Sequence, residues 1–216
     1  MVEQKYAELG GEGGFLGAPL GPEADTPDGN GRFREFSNGT IYWSPESGAF
    51  EVNGAIRDKW LKLGGLDFLG YPLSDELPPP DGRGRFNQFQ QGFIYWTPEY
   101  GAVAIYGLIY RKWEQMGLEA GVLGYPTTDE KDTSDGRGRM NLFEHGAIYW
   151  TSEKGAFEVH GLIFGKWQEL GLEESWLGLP VSDEEPSTDP AWQRQSRFEN
   201  GVIKWSADKG AAAFEN

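Results

Sequence analysis

The sequence predicts a mainly β chain with short helices, built as four repeats that close into a pseudo-fourfold, propeller-like toroid. Three observations predict it. First, a Leu-Gly-x-Pro signature opens at Leu16, Leu69, Leu123 and Leu177, so copies begin 53, 54 and 54 residues apart. Self-similarity at such a fixed period marks a repeat architecture. Second, each copy ends in an Ile-x-Trp run: Ile41-Tyr42-Trp43, Ile94-Tyr95-Trp96, Ile148-Tyr149-Trp150 and Ile203-Lys204-Trp205. Third, Asn216 is in phase with Gly54 and Met1 with Ala55, so the last unit ends in the register where the first begins. A solenoid needs polar caps, and none is evident. A ring has no ends to cap. One domain over residues 1–216 is expected, with units of about 1–54, 55–107, 108–161 and 162–216, because a single unit buries too little surface to stand alone.

Each unit starts with a short helix. Val2, Tyr6 and Leu9 share the i, i+4, i+7 spacing of one helical face with Ile56, Trp60 and Leu63, with Ile109, Trp113 and Met116, and with Ile163, Trp167 and Leu170. A glycine follows each time, at Gly10, Gly64, Gly117 and Gly171, as it does just past a helix C-terminus. Helices this short need a neighbour to dock on. After Leu-Gly-x-Pro comes a loop, with Pro78-Pro79-Pro80 in the second unit, then an Asp-Gly-x-Gly turn at Asp28, Asp81 and Asp135. Its two glycines point to positive φ angles. A hairpin follows, with turn glycines at Gly39, Gly92, Gly146 and Gly201 between apolar runs. The turn Thr97-Pro98-Glu99-Tyr100-Gly101 leads to a third strand. In that strand Phe50 and Val52 alternate with Glu51 and Asn53, which predicts one buried face.

Composition narrows the function. A net charge of −15 and a pI near 4.5 oppose phosphate backbones and anionic membranes, so nucleic acid is not an expected partner. The chain has no cysteine, and therefore neither disulfides nor thiolate metal sites. No apolar run approaches the roughly 18 residues of a membrane helix, so no membrane insertion is expected. The start MVEQKYAELGG lacks the basic and apolar regions of a signal peptide. The expectation is a cytoplasmic protein if the chain is native and full length, and a secreted or cell-wall one if it is an excised fragment.

The Leu-Gly-aromatic-Pro signature, the acidic pair after it (Asp75-Glu76 in the second unit) and the Gly-rich turn recur in one order. On these motifs the chain resembles the LGFP repeat family over essentially its whole length. That family is known mainly from cell-wall-associated proteins of actinobacteria. The resemblance implies attachment to wall polysaccharide, and so glycan binding without a named sugar.

Comparing the four copies separates scaffold from candidate site. Arg32, Arg85, Arg139 and Arg194 recur in all four, as do Glu23, Glu76, Glu130 and Glu184. They read as an ion pair in each unit, since the guanidinium fork suits a carboxylate. The recurring tryptophans read as core. Tyr42, Tyr95 and Tyr149 lie between Ile and Trp on a strand and therefore point to the opposite face. The fourth unit has Lys204 there, which argues that this face meets solvent or a cleft. These tyrosines are the candidate carbohydrate-binding platforms, each with a ring to stack on sugar C–H groups and a hydroxyl to bond. The alternative is packing against the next unit. Asp28, Asp81 and Asp135 are the companion candidates, as acceptors for vicinal hydroxyls; the alternative is that each closes its own turn. The fourth unit has lost both features, with Asp189-Pro190-Ala191-Trp192 in place of the turn, so about three sites are expected. Asp28-Gly29-Asn30-Gly31 lacks a complete calcium-loop spacing, and no cofactor or metal is expected. Catalytic motifs are missing, and the two histidines do not recur between copies.

The leading expectation is a non-catalytic, multivalent lectin for a glycan or cell-wall polysaccharide. One rival is a structural, wall-attachment or protein-interaction module. Another is a glycoside hydrolase built on acidic pairs such as Asp75-Glu76.

Overall fold

The computed structural model describes residues 1–216, and the chain folds as two compact units, Met1–Tyr106 and Gly107–Asn216. The first unit begins with α1 (Val2–Glu8) and a sheet of β1 (Ala24–Asp25), β2 (Arg32–Phe36), β3 (Gly39–Ser44) and β4 (Gly48–Asn53), paired in that order. Helix α2 (Gly54–Leu63) leads to a three-stranded sheet of β5 (Arg85–Phe89), β6 (Gly92–Thr97) and β7 (Gly101–Tyr106). The second unit repeats this plan with α3 (Gly107–Gln115) and a sheet of β8 (Lys131–Asp132), β9 (Gly138–Phe143), β10 (Gly146–Thr151) and β11 (Gly155–His160). Then come α4 (Gly161–Leu170) and a sheet of β12 (Glu185–Pro186), β13 (Arg194–Arg197), β14 (Gly201–Ser206) and β15 (Gly210–Glu215). All pairings are antiparallel meanders. The four sheets are separate and open, so nothing within either unit closes the expected ring.

The helices form where the apolar spacing places them. Ile56 and Trp60 are buried on α2, and Gly64 stops it in the left-handed region at φ 112°. What the spacing does not reveal is that one helix serves two sheets. Tyr42 and Val52 of the first sheet pack with Ile56, Trp60, Leu69 and Phe89, while Ile41 packs on the other face with Val2, Tyr6, Leu16 and Phe36. In the second unit Tyr149 and Val159 share a core with Ile163, Trp167, Phe198 and Ile203. Trp60 and Trp167 are each gripped by two aromatic rings. Trp60 meets Tyr42 edge-on at 4.9 Å and stacks on Phe89 at 5.7 Å; Trp167 meets Tyr149 at 4.9 Å and Phe198 at 5.0 Å. Full burial of one such side chain stabilises by about 1.5–3 kcal/mol.

This sandwiching corrects three expectations. The third strand does not have one buried and one wet face: Glu51 is 2 % exposed beside Val52 at 0 %. The tyrosines do point away from Ile and Trp, but Tyr42 and Tyr149 pack on the following helix rather than meeting solvent, and Tyr95 is buried beside Phe86 and Phe93. The recurring tryptophans, expected as core, are the half-buried residues of the strand.

The hairpin glycines are also reassigned. Gly92 opens β6 opposite Phe89, and a Cβ there would sit 2.5 Å from the Ile105 carbonyl oxygen. The same crowding, at 2.3 Å from Val159 O, excludes a side chain at Gly146. Close approach of the third strand, not turn geometry, requires the glycine.

The outer face of β14–β15 is open to solvent. Phe214 is 40 % exposed, whereas the equivalent Val52 and Val159 are 0 % exposed.

Candidate functional site

In the first unit the Asp-Gly turn of the first repeat meets the Leu-Gly-Tyr-Pro segment of the second. The turn closes on itself through Thr26: its N–H donates to Gly31 O at 3.0 Å and its Oγ1 accepts from Gly31 N–H at 2.9 Å. Asp28 Oδ1 accepts from Thr26 Oγ1 at 2.6 Å, from Asn30 N–H at 3.1 Å and from the Tyr71 hydroxyl at 2.8 Å. Asp28 therefore does close its own turn, and it also locks the next repeat through Tyr71. Burial pushes its carboxyl up, but the hydrogen bonds from Thr26, Tyr71 and Asn30 outweigh this and hold it below the usual range, hence ionised at neutral pH. Gln90 completes the junction, with Oε1 accepting from Tyr71 N–H at 2.9 Å.

These residues border a cleft of ≈ 350 Å³ lined by Asp28, Asn30, Ser44, Pro45, Glu46, Tyr71 and Gln90. Its polar groups are two carboxylates, two amides and two hydroxyls, and no cation lines it. A second cleft of ≈ 570 Å³ opens at the start of α2, between Asn53, Glu76, Arg83, Arg85 and the half-buried Trp96.

The second unit builds the same junction differently. Asp135 Oδ1 accepts from Thr133 Oγ1 at 2.7 Å and from Arg137 N–H at 3.0 Å. Arg137, at the position of Asn30, binds Asp135 Oδ2 through Nε at 2.6 Å and forks onto both Glu199 carboxylate oxygens at 2.8 Å. Glu199 stands where Gln90 stands and likewise accepts a backbone N–H, from Leu179 at 3.1 Å. Asp81 accepts from Arg83 N–H at 3.0 Å.

The candidate tyrosines lie elsewhere. Tyr42, Tyr95 and Tyr149 are 7 %, 2 % and 2 % exposed. Tyr42 borders an apolar groove of ≈ 240 Å³ with Phe33, Trp60 and Leu66. Burial pushes the Tyr42 hydroxyl up to about 12 and raises that of Tyr149, which donates to Glu173 at 2.9 Å. As exposed stacking platforms they are corrected: all three are buried, and the following helix covers Tyr42 and Tyr149.

The recurring Arg–Glu pairs do form within each repeat: Arg32–Glu23 at 3.1 Å, Arg85–Glu76 at 3.7 Å, Arg139–Glu130 at 3.1 Å and Arg194–Glu184 at 2.8 Å. The acidic pairs form a clasp between the two sheets of a unit. Asp75 accepts Glu51 N–H at 3.1 Å, buried Glu51 accepts Glu76 N–H at 2.8 Å, and Lys5 reaches Asp75 at 2.5 Å. Asp183, Glu158, Glu184 and Lys112 repeat it at 3.2, 2.8 and 2.8 Å. Sequence reasoning missed Tyr71, Gln90, Glu51 and Glu158. Tyr71 was legible as the one signature residue whose type varies, being Ala18, Tyr125 and Leu179 elsewhere.

Sheets joined through shared helices define a tandem-repeat β protein, and its loops rather than its core carry the polar clefts. The chain belongs to the LGFP repeat family, whose repeat model matches residues 16–67, 69–121, 123–175 and 177–216. The three longer matches run from the sheet through the following helix, and the fourth ends with β15. No curated protein matches the chain.

Proposed function

We propose that this chain is a non-catalytic carbohydrate-binding protein, a lectin built of LGFP repeats, that takes a neutral glycan in the repeat junction of its first unit. The observation that carries the reading is the ≈ 350 Å³ cleft in which Asp28, Asn30, Ser44, Glu46, Tyr71 and Gln90 converge. A sugar presents vicinal hydroxyls, each both donor and acceptor. Carboxylates and amides at a cleft wall match them, and the absence of a lining cation disfavours anionic sugars. The net charge of −15 acts in the same direction. Support for a non-catalytic role comes from the clasp: Asp75 and Glu51 are engaged by backbone N–H groups and Lys5, which leaves only Glu76 of the pair bordering a cleft, where a hydrolytic pair needs two carboxylates facing it.

A glycan array on the intact chain tests this. Signals for neutral glycans, competed by the free sugar, are expected. Glu46→Ala removes an exposed cleft acceptor and should weaken binding about tenfold, the scale of one hydrogen bond to a charged group, with unchanged melting. Silence across neutral glycans would favour the structural attachment module instead, and progressive cleavage of a bound oligosaccharide would favour the hydrolase.

A further inference from the structure

The two junctions described above share a frame and differ at three positions that face each other across it; along the rim Ser44, Pro45 and Ser47 also become Thr151, Ser152 and Lys154. Asn30, Tyr71 and Gln90 of the first unit correspond to Arg137, Leu179 and Glu199 of the second. In the first unit the space between Asp28 and Gln90 is a cleft. In the second, the Arg137 side chain spans from Asp135 to Glu199 through three charge-assisted hydrogen bonds of 2.6–2.8 Å. Lys154 adds a second cation at Glu199, 3.4 Å away. Asp28 Oδ2 is held in the first unit only by the neutral Asn30 amide at 3.3 Å, whereas Asp135 Oδ2 and both Glu199 oxygens are bound by a guanidinium in the second.

We propose that Arg137 is an intramolecular plug, so that the two junctions are inequivalent: the first admits a neutral glycan and the second is closed by its own guanidinium. This rests on the glycan reading of the first-unit cleft. A guanidinium is a planar donor with a fork spaced for a carboxylate, so it satisfies both Glu199 oxygens at once. A neutral hydroxyl pair would have to displace bonds made to full charges, which binding at a shallow site does not supply. In the first unit Asn30 is too short to reach Gln90, and Gln90 is neutral, so no equivalent bridge forms.

Two reciprocal variants test the plug, using titration calorimetry with neutral gluco- and manno-oligosaccharides. Asn30→Arg with Gln90→Glu transfers the plug to the first unit. The number of sites per chain should fall by one, with cooperative melting retained, because both positions are exposed. Arg137→Asn with Leu179→Tyr and Glu199→Gln transfers the open cleft to the second unit, and the number should rise by one. If the triple variant fails to fold, since Leu179 is 1 % exposed, the plug transfer decides alone. Unchanged stoichiometry and affinity after the plug transfer would overturn the proposal while leaving glycan binding standing. No heat with the wild-type chain would instead remove the glycan reading, and the plug with it.

Discussion

Tyr149 is held by two neighbours that its own sheet does not contain. Its ring meets Trp167 edge-on at 4.9 Å and its hydroxyl donates to Glu173 at 2.9 Å. Truncating a buried aromatic side chain costs about 3–5 kcal/mol. Tyr149→Ala should therefore lower the stability of the second unit by that order, read from the urea midpoint. A loss below about 0.5 kcal/mol, the scale of a surface substitution, would return the residue to the surface. The strand alternation correctly sets this tyrosine opposite Ile148 and Trp150, because side chains on a strand alternate strictly. It cannot say what the opposite face meets, since the covering residue Trp167 comes from the helix that follows the sheet. Gly92 was misread for a related reason. Its requirement comes from the Ile105 carbonyl on a neighbouring strand, and a hairpin signal in sequence looks the same whether the glycine bends the chain or only makes room.

The helices and meanders were legible because their evidence is local: an i, i+4, i+7 spacing, a glycine stop and alternating apolar residues. The clasp between the sheets was not. Lys112 and Asp183 lie 71 residues apart, and Glu158 sits at a position that alternation assigns to solvent. The clasp of the second unit differs from that of the first in one respect, His160 in place of Asn53. His160 Nδ1 lies 2.6 Å from Glu158 Oε2, and Nε2 lies 3.4 Å from Glu184 Oε2, with Arg194 on the far side of Glu184. The hydrogen bond to Glu158 raises the imidazole above its usual value; burial opposes this, and the charges of Glu158 and Glu184 add to it. A group whose folded pKa is raised binds its proton more tightly when folded. Its contribution is fully present below the unfolded value of about 6.5 and is lost as pH rises through the folded value. The melting temperature of the second unit should thus fall as pH rises above about 6.5. His160→Asn, which copies the first unit, should flatten that dependence. An identical slope in the variant would mean that other groups carry it.

Across the whole chain the period and the four copies were evident from sequence, but the meaning of the fourth copy's departures was not. Lys204 reads in sequence as the loss of a binding tyrosine. In the structure Tyr42 and Tyr149 are docking positions for a following helix, whereas the strand face that carries Lys204 also carries the 40 % exposed Phe214. Lys204 suits such a face. Its Nζ lies 5.5 Å from the Phe214 ring centroid and 3.2 Å from Asp189 Oδ2, and Lys209 lies 5.1 Å from the centroid of Trp192, whose ring meets Phe214 edge-on at 5.5 Å. The two aromatic rings are thereby screened by cations. Alanines at 211, 212 and 213 keep the rest of that strand small, where the first repeat has Phe50 and Glu51. Lys204→Tyr installs the residue that the other three repeats carry. It removes the cation over Phe214, leaves Asp189 without that partner and joins Phe214 and Trp192 into a larger apolar patch. Exposed patches of this kind drive association. The variant should sediment as concentration-dependent oligomers under conditions where the wild-type chain shows no such dependence, and Lys204→Ala, which adds no ring, should associate less. If Lys204→Tyr sediments as the wild type does at every concentration, the lysine is not what keeps this face apart.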